Sequence, residues 1–213
     1  MGYDAQPPHP PRKVAIVGGA RSRTQAPYED HSWEIWAFSS LRLPTPRITR
    51  WFEMHALEDL QGQLQRNTKR RLSYRSYLRF LQNLDCPIYM QTAHGTIPKS
   101  VEYPLQEALD ALGRCFTSTA SYLIALAILE AYETIGVWGI HLTERTVYAH
   151  QRPGVEYLLG VARTKGTEVY LPPGCPLRIP IPPILTVTDV LYGYDWQSPR
   201  AWWRRRRRRR KRR

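Results

Sequence analysis

Helix and strand signals follow each other without a break in residues 117–141, TSTASYLIALAILEAYETIGVWGIH. Hydroxyl side chains at 117–119 are of the type that caps a helix N-terminus, and the apolar run at 120–131 then predicts a buried helix. Residues 134–140 are rich in apolar and β-branched side chains, which predicts a buried strand that ends at His141. A helix that leads directly into a buried strand is typical of a parallel α/β sheet.

The same alternation continues on both sides of this segment. Residues 13–17, KVAIV, run into Gly18 and Gly19 and predict a buried strand followed by a tight turn. The other predicted elements are strands at 33–38, 48–54, 87–90 and 167–171, and helices within 56–84, at 102–113 and from Pro153 to Lys165. Together they predict a single Rossmann-like α/β domain, in which a mostly parallel sheet carries helices on both faces.

Composition divides the chain into four predicted parts. Residues 1–12 are rich in proline and predict a disordered lead-in to the domain at 13–171. Residues 172–200 are again rich in proline and predict a strap or a linker. Residues 201–213 predict a disordered, arginine-rich C-terminal tail.

The charge of the chain is concentrated in that tail. The formal net charge is +13, but residues 204–213, RRRRRRRKRR, hold ten of the 31 basic side chains, and the remaining 21 nearly balance the 18 acidic ones. Such a block binds polyanions with a steep salt dependence, and neighbouring tryptophans can stack on bases. We therefore expect nucleic acid as a partner, with a nuclear-localisation-like address and nonspecific electrostatics as the alternatives. The predicted contact residues are Trp202, Trp203, Arg204, Arg205, Arg206, Arg207, Arg208, Arg209, Arg210, Lys211, Arg212 and Arg213.

Cysteine and hydropathy patterns argue against several classes of protein. Cys86, Cys115 and Cys175 are widely spaced and form no CxxC pair, which disfavours a disulfide framework or a cysteine zinc site and favours a reducing compartment. No apolar run reaches about 18 residues, so we expect no membrane span. Prolines near the N-terminus stand where a signal peptide would need an apolar stretch, so we expect no secretion.

Glycine-rich and hydroxyl-rich segments stand where ligands of parallel sheets bind, beyond the carboxyl ends of the strands. The first strand is followed by GGARSR at 18–23, in which glycines allow close approach of a ligand and arginines could pair with phosphate oxygens. The helix start at 117–119 would attract an anion through its N–H groups and dipole. The predicted nucleotide-binding residues are Gly18, Gly19, Arg21, Ser22, Thr117 and Ser118. A plain tight turn and ordinary helix capping are the alternatives, since neither GxGxxG nor a Walker motif is present.

Three histidines, His55, His94 and His141, each follow a predicted strand. Histidine is the usual general base near neutral pH, so we expect His55 or His141 to be catalytic, with a polar loop residue as the alternative for each. A three-histidine metal site lacks support from HxH or HxxxH spacing, so we assign no metal ligands, although a divalent metal stays open as a cofactor. The predicted substrate-binding residues are His94, Gln151, Arg152 and Glu156, with a polar loop and helix start as their alternative.

Residues 117–128 and 133–141 also resemble a segment of known protein families. They are similar to the "TS…ALAxxxG…I.L.GID" segment of bacterial sialyltransferase-like and MptE-like (pterin pyrophosphokinase) Rossmann proteins, and to small phage-encoded proteins of unknown role. The resemblance implies that the first strand and its turn, 14–22, bind a nucleotide, and that the helix led by Thr117 and Ser118 lies beside nucleotide-sugar phosphates. It also implies a cytoplasmic protein of a bacterial or phage-infected cell.

Two hypotheses about function follow from these residues. The first is a nucleotide-dependent transferase, for glycosyl or pyrophosphoryl transfer, that holds a nucleotide or nucleotide sugar between the glycine turn and the helix start and acts on or near nucleic acid. A histidine would deprotonate an acceptor hydroxyl, and Arg21, Arg23 and the helix dipole would stabilise the departing diphosphate. The second is a non-catalytic nucleotide-binding module that the tail tethers to nucleic acid or to an acidic partner. His141 favours this second hypothesis, because the resembling families carry an acidic residue at that position.

Overall fold

The computed structural model describes residues 12–38, 45–57, 59–60, 73–143 and 147–179. Predictions for the lead-in at 1–11, for residues 61–72 and for everything after 179, including the arginine tail, lie outside this part of the chain. None of the helices in the described ranges has the length and apolar character needed to cross a membrane.

Seven strands form one parallel sheet across the described residues. In chain order they are β1 (Lys13–Val17), β2 (Trp33–Phe38), β3 (Arg50–Glu53), β4 (Ile88–Met90), β5 (Ser100–Glu102), β6 (Thr134–Trp138) and β7 (Glu168–Tyr170). Their spatial order is β5-β4-β3-β2-β1-β6-β7, and each neighbouring pair is parallel. The strand order therefore reverses between β1 and β6, and in open α/β sheets ligands bind at the carboxyl ends of the strands at such a reversal.

Helices cover both faces of this sheet. They are α1 (Tyr74–Gln82), α2 (Leu105–Leu112), α3 (Thr119–Leu129) and α4 (Val147–Thr164), with a short 3-10 helix at Arg21–Gln25. Successive residues of a strand point to opposite faces, so Phe52 packs in the core beneath α3 while Trp51 packs against Phe80 of α1. The predicted fold class, a parallel α/β sheet of Rossmann-like type, is confirmed.

β5 is a strand that the sequence does not predict. Ser100–Glu102 is only three residues long and its last two residues are exposed, so it carries no apolar pattern. It becomes a strand by main-chain pairing with β4, in which Glu102 lies opposite Met90. The helix predicted at 102–113 is therefore too long at its start, and α2 begins at Leu105.

α4 begins earlier than the proline in its sequence predicts. The sequence predicts Pro153 at the first turn, but the helix begins at Val147 and contains Pro153, which has no N–H to donate along the helix. The added turns pack on the segment before α3, where the Thr117 hydroxyl donates to the Gln151 carbonyl at 2.8 Å. The packing continues after the proline, since a Cβ on Gly154 would lie 2.5 Å from the Cys115 carbonyl oxygen. Tertiary packing thus overrides the local preference of proline for a helix start.

A cluster of charged and aromatic side chains, which we call the amino-edge cluster, closes the amino-terminal edge of the sheet. Arg50 Nη1 lies 2.6 Å from Glu130 Oε1, and Arg50 Nε lies 3.2 Å from Glu34 Oε2. Arg12 pairs with the other Glu130 oxygen at 3.1 Å, and the Tyr132 hydroxyl donates to Glu34. The cluster joins β2 and β3 to the end of α3 at the edge opposite the ligand-binding one, so we assign it a structural role.

Candidate functional site at the carboxyl edge

β1 and β6 end in two turns that touch through their glycines. The Gly18 N–H donates to the Trp138 carbonyl and the Ala20 N–H donates to the Gly139 carbonyl, both at 2.8 Å. A Cβ on Gly18 would lie 2.6 Å from the Gly139 carbonyl oxygen, so no side chain fits there. Gly139 has φ +66°, a left-handed conformation that favours glycine. At the strand reversal, the turns after β1 and β6 therefore form one closely packed main-chain surface.

The hydroxyl of Ser22 joins the same two turns. Ser22 is 8% exposed, and its Oγ accepts the Gly139 N–H at 2.9 Å and lies 2.9 Å from His141 Nε2. Leu142, directly after His141, has φ +48°, which is uncommon for a residue with a side chain. His141 is thus held from one side by a buried hydroxyl and is followed by a strained main-chain turn.

The basic residues of the 3-10 helix border this main-chain surface. Arg21 is exposed at the start of the helix, and Gly19 is exposed just before it. Arg23 is partly buried, and a Cβ on Gly139 would lie 3.0 Å from the Arg23 Cβ. The turn after β1 and the turn after β6 are therefore one packed unit with cationic side chains at its rim.

A buried carboxylate orients a histidine at the end of β3. Glu53 is 2% exposed, and its Oε1 lies 2.5 Å from His55 Nδ1 and accepts the His55 main-chain N–H at 3.1 Å. Its Oε2 accepts the hydroxyl hydrogen of Tyr77, a fully buried residue of α1, at 2.5 Å. Three donors thus compensate for the desolvation of the Glu53 carboxylate. The His55 side chain itself is 45% exposed.

Glu53 determines which ring nitrogen of His55 carries the hydrogen. A carboxylate only accepts hydrogen bonds, so Nδ1 of the neutral ring is the N–H and the basic lone pair stands on Nε2. A carboxylate that orients a histidine in this way is the usual support of a histidine general base. Burial and the neighbouring Glu53 charge raise the pKa of Tyr77 well above its ordinary value, which keeps its hydroxyl protonated as a donor.

The start of α3 is built differently from the predicted hydroxyl cap. Ser118 is the N-cap residue, but its side chain makes no capping bond and its Oγ lies 3.3 Å from Ser121 Oγ. The Thr117 hydroxyl is turned to the Gln151 carbonyl of α4. The predicted capping by these side chains is therefore wrong, because the Thr117 hydroxyl bonds to α4 and the Ser118 hydroxyl lies against Ser121 of α3. α3 leads into β6, so its start still faces the carboxyl edge of the sheet.

His94 lies elsewhere than the strand pattern predicts. Its main-chain N–H donates to Ser100 Oγ at 2.8 Å, and its carbonyl accepts the Ser100 hydroxyl at 3.0 Å. Ser100 is the first residue of β5, so the loop after β4 has already returned toward the amino end of the next strand. The structure does not bring His94 to the carboxyl edge with the other two histidines, and its predicted contact with substrate stays a prediction.

The polar residues of α4 hold the segment after β7. Arg152 Nε lies 2.7 Å from Glu156 Oε1 and Arg152 also donates to the Pro176 carbonyl. Glu156 Oε1 accepts the Arg178 main-chain N–H at 2.7 Å. These contacts bind the first part of the predicted strap to α4. The roles predicted for Gln151, Arg152 and Glu156 in substrate binding stay predictions, and the geometry favours the structural alternative for the last two.

His55 and His141 follow strands that are not neighbours in the sheet. β2 and β1 lie between β3 and β6, so three strand spacings, about 14 Å in total, separate the two strand ends. The two histidines therefore cannot act on one atom as interchangeable bases.

Glu53 and Tyr77 are the site residues that sequence reasoning does not single out. The spacing of Glu53 and His55 is a usable signal, because residues two apart on a strand point to the same face. Tyr77 has no such signal, since only the docking of α1 places its hydroxyl beside β3.

The described ranges contain no group of three or more His, Cys, Asp and Glu side chains placed to hold a metal ion. The three cysteines are free thiols.

No family model matches the chain, and no curated protein matches it in sequence. Among solved structures it is similar to the sialyltransferase CstII from Campylobacter jejuni with cytidine-5'-monophosphate, at 14% identity and a TM-score of 0.47 over 78% of this chain and 80% of that chain. The CstII complex with CMP-3FNeuAc gives 13% identity and a TM-score of 0.49 over 77% and 80% of the two chains. The complex with a trisaccharide acceptor and CMP gives 13% identity and a TM-score of 0.46 over 77% and 81%.

Proposed function

We propose that the protein is a nucleotide-dependent transferase in which His55 is the general base. The observation that carries the proposal is the buried Glu53 carboxylate, which holds His55 Nδ1 at 2.5 Å and so puts the basic lone pair on Nε2. Burying a carboxylate is costly even when it is hydrogen-bonded. Its position beside an exposed histidine at the ligand-binding edge is best explained by the orientation that it imposes on the ring.

The nucleotide is assigned to the strand reversal between β1 and β6. A ligand can approach the main chain closely at Gly18 and Gly19, Arg21 offers a guanidinium to phosphate oxygens, and the start of α3 adds a favourable dipole. The resemblance of residues 117–141 to nucleotide-sugar enzymes favours a nucleotide sugar as the donor.

The separation of the two sites suits transfer from such a donor. With the nucleotide at β1 and β6, the transferable group would extend along the carboxyl edge toward His55, about 14 Å away at three strand spacings. The acceptor hydroxyl gives its proton to His55 Nε2, and its oxygen forms the new bond to the sugar carbon. The bond from that carbon to the phosphate oxygen breaks, and its electron pair leaves with the nucleotide.

The arginine tail supplies a second proposal, which rests on sequence alone. Residues 204–213 would bring the protein to nucleic acid, and the acceptor would then be nucleic acid or a molecule bound near it. This proposal is independent of His55, so the two are tested separately.

Turnover assays test the transferase. The full-length protein is incubated with a panel of nucleotide sugars and nucleoside triphosphates, with and without DNA, and released nucleotide is measured. His55→Ala should lower turnover by a factor on the order of 10²–10⁴. His31→Ala, at an exposed histidine before β2, is the matched control and should leave turnover near that of the parent. Melting temperatures of the same preparations separate a catalytic loss from unfolding.

Two results would contradict the proposal. Full turnover by His55→Ala would remove His55 as the base. A parent protein that binds nucleotides but releases none from any donor would support the non-catalytic nucleotide-binding module instead.

A further inference from the structure

We propose that His141 is a hydrogen-bond donor to an anionic oxygen of the ligand, of the phosphate or diphosphate class, and that Ser22 is the positioning residue that gives it this role. The inference deepens the proposed function, because the ligand class rests on a nucleotide at the strand reversal. The assignment of the His141 tautomer rests on geometry alone.

The hydrogen bonds of Ser22 determine the tautomer of His141. A hydroxyl has one hydrogen and two lone pairs, and the Gly139 N–H occupies one lone pair of Ser22 Oγ at 2.9 Å. His141 Nε2, at 2.9 Å, is the other polar atom bonded to this oxygen in the described part of the chain. If Nε2 carried a hydrogen, the hydroxyl would accept twice and its own hydrogen would be buried without an acceptor there, which is costly. Ser22 therefore donates to Nε2, and the hydrogen of the neutral ring stands on Nδ1.

His55 and His141 have the same neutral tautomer, but different ring nitrogens are bonded to protein: Nδ1 of His55 to Glu53, and Nε2 of His141 to Ser22. Glu53 accepts the Nδ1 hydrogen of His55, so the lone pair of that neutral ring stands on Nε2. The Ser22 hydroxyl donates to the Nε2 lone pair of His141, so the Nδ1–H is the group that can donate to a ligand. A neutral imidazole that presents N–H cannot remove a proton, and His141 is therefore a donor and not a second base.

The surroundings of His141 favour an anionic oxygen as the acceptor of this N–H. The bond to the buried Ser22 hydroxyl orients the ring before a ligand arrives, and Leu142, the next residue, has a left-handed main chain. Arg21 is exposed in the adjoining turn, and the α3 start faces the same edge. Cationic and N–H groups together suit phosphate oxygens.

Histidine ring nitrogens report the tautomer directly in long-range ¹H–¹⁵N spectra. They are recorded on the full-length protein at about pH 8.5, above the ordinary histidine pKa of about 6.5. We expect His141 to have a protonated Nδ1 and a bare Nε2. Ser22→Ala should shift the ring toward the Nε2–H form, which dominates for unrestrained histidine in water. Thr24→Ala, an exposed hydroxyl of the same 3-10 helix, should leave the His141 signals unchanged.

A protonated Nε2 on His141 in the parent protein would overturn the proposal. This test needs no variant, so it can be made even if Ser22→Ala does not fold. Unchanged His141 signals in a folded Ser22→Ala variant would equally remove Ser22 as the positioning residue.

Binding of inorganic diphosphate tests the role of the N–H. Calorimetric titration compares the parent with His141→Asn, whose amide can place an N–H near the position of Nδ1, and with His141→Ala, which has none. We expect His141→Ala to bind diphosphate about tenfold or more weakly, as for a lost bond to a charged group, and His141→Asn to recover most of the affinity. Parent-like affinity in His141→Ala would overturn the donor role. If both tests succeed while no donor is turned over, the transferase proposal fails and this one stands.

Discussion

The main chains of Gly18 and Gly139 pack so closely that a Cβ on either residue would lie 2.5–2.6 Å from the carbonyl oxygen of the other. Real side-chain carbons do not approach a carbonyl at this distance, so both positions require glycine. The contact locks the turn after β1 to the turn after β6, at the place where the strand order reverses. Ser22 and His141 take their positions from these two turns.

Substitution of Gly18 by alanine should therefore lower stability. The forced shift of the Gly139 carbonyl should cost about 1–3 kcal/mol, or about 2–4 °C of melting temperature for each kcal/mol in a domain of this size. Thermal unfolding followed by circular dichroism measures the change. Gly95→Ala is the control, since a Cβ there meets nothing within 4 Å. Equal melting temperatures for Gly18→Ala and the parent would contradict the contact.

The amino-edge cluster should make stability depend on acid. Burial acts to raise the pKa of Glu34, but hydrogen bonds from Tyr132 and Trp36 and the charge of Arg50 hold it below its ordinary value of 4.5. A carboxyl whose pKa is depressed in the folded protein adds stability that is complete above 4.5 and is lost as pH falls through the folded value. Glu34→Gln should therefore be less stable than the parent at neutral pH.

Urea unfolding at about pH 7 and about pH 3 checks this dependence. The stability difference between Glu34→Gln and the parent should shrink at the lower pH. Glu102→Gln, which replaces an exposed carboxyl of β5, serves as the control. A constant difference at both pH values would show that the Glu34 charge is not stabilised in the folded state.

The hydroxyl of Tyr77 should be needed to keep Glu53 buried. Tyr77→Phe removes one of the three donors to that carboxylate, and hydrogen bonds to charged groups are worth about 1.5–3 kcal/mol. Urea unfolding should give a loss of this size, while Tyr157→Phe, on a side chain that is half exposed, should not change stability. Identical unfolding midpoints for Tyr77→Phe and the parent would contradict the bond.

Cys86 should be the least reactive of the three thiols. It is 5% exposed, and burial raises its pKa to about 11. At about pH 8 only about one such thiol in a thousand is ionised, and the thiolate is the nucleophile. Iodoacetamide labelling followed by peptide mass spectrometry should modify the partly buried Cys115 and Cys175 first. Equal rates in urea serve as the control, and faster labelling of Cys86 in the native protein would contradict its burial.

Deletion of residues 204–213 should abolish most affinity for nucleic acid. The ten basic side chains would release counterions on binding, so the affinity of the full chain should fall steeply with salt. DNA binding by the full and the shortened chain is measured across a salt series, with melting temperature as the check on folding. Equal affinities and equal salt slopes would remove nucleic acid as a partner.

Local patterns in the sequence are sufficient to predict the centre of the sheet. β1 and β6 are short apolar runs that end in glycine, and α3 is apolar along its whole length, so each is specified by its own residues. The carboxyl-edge position of His55 and His141 follows from β3 and β6, because a residue just after a parallel strand lies at that edge. The same rule fails for His94, which stands further along the loop after β4.

Tertiary structure decided the remaining elements and how those residues are oriented. β5 exists because its main chain pairs with β4, and α4 begins before Pro153, where the Gln151 carbonyl accepts the Thr117 hydroxyl. The orientation of His55 comes from Glu53, which α1 helps to bury, and that of His141 comes from Ser22, 119 residues away in the chain. Hydrogen bonds and close packing between distant segments leave no periodic signal in a sequence, so only the folded chain shows that different ring nitrogens of the two histidines are bonded to protein.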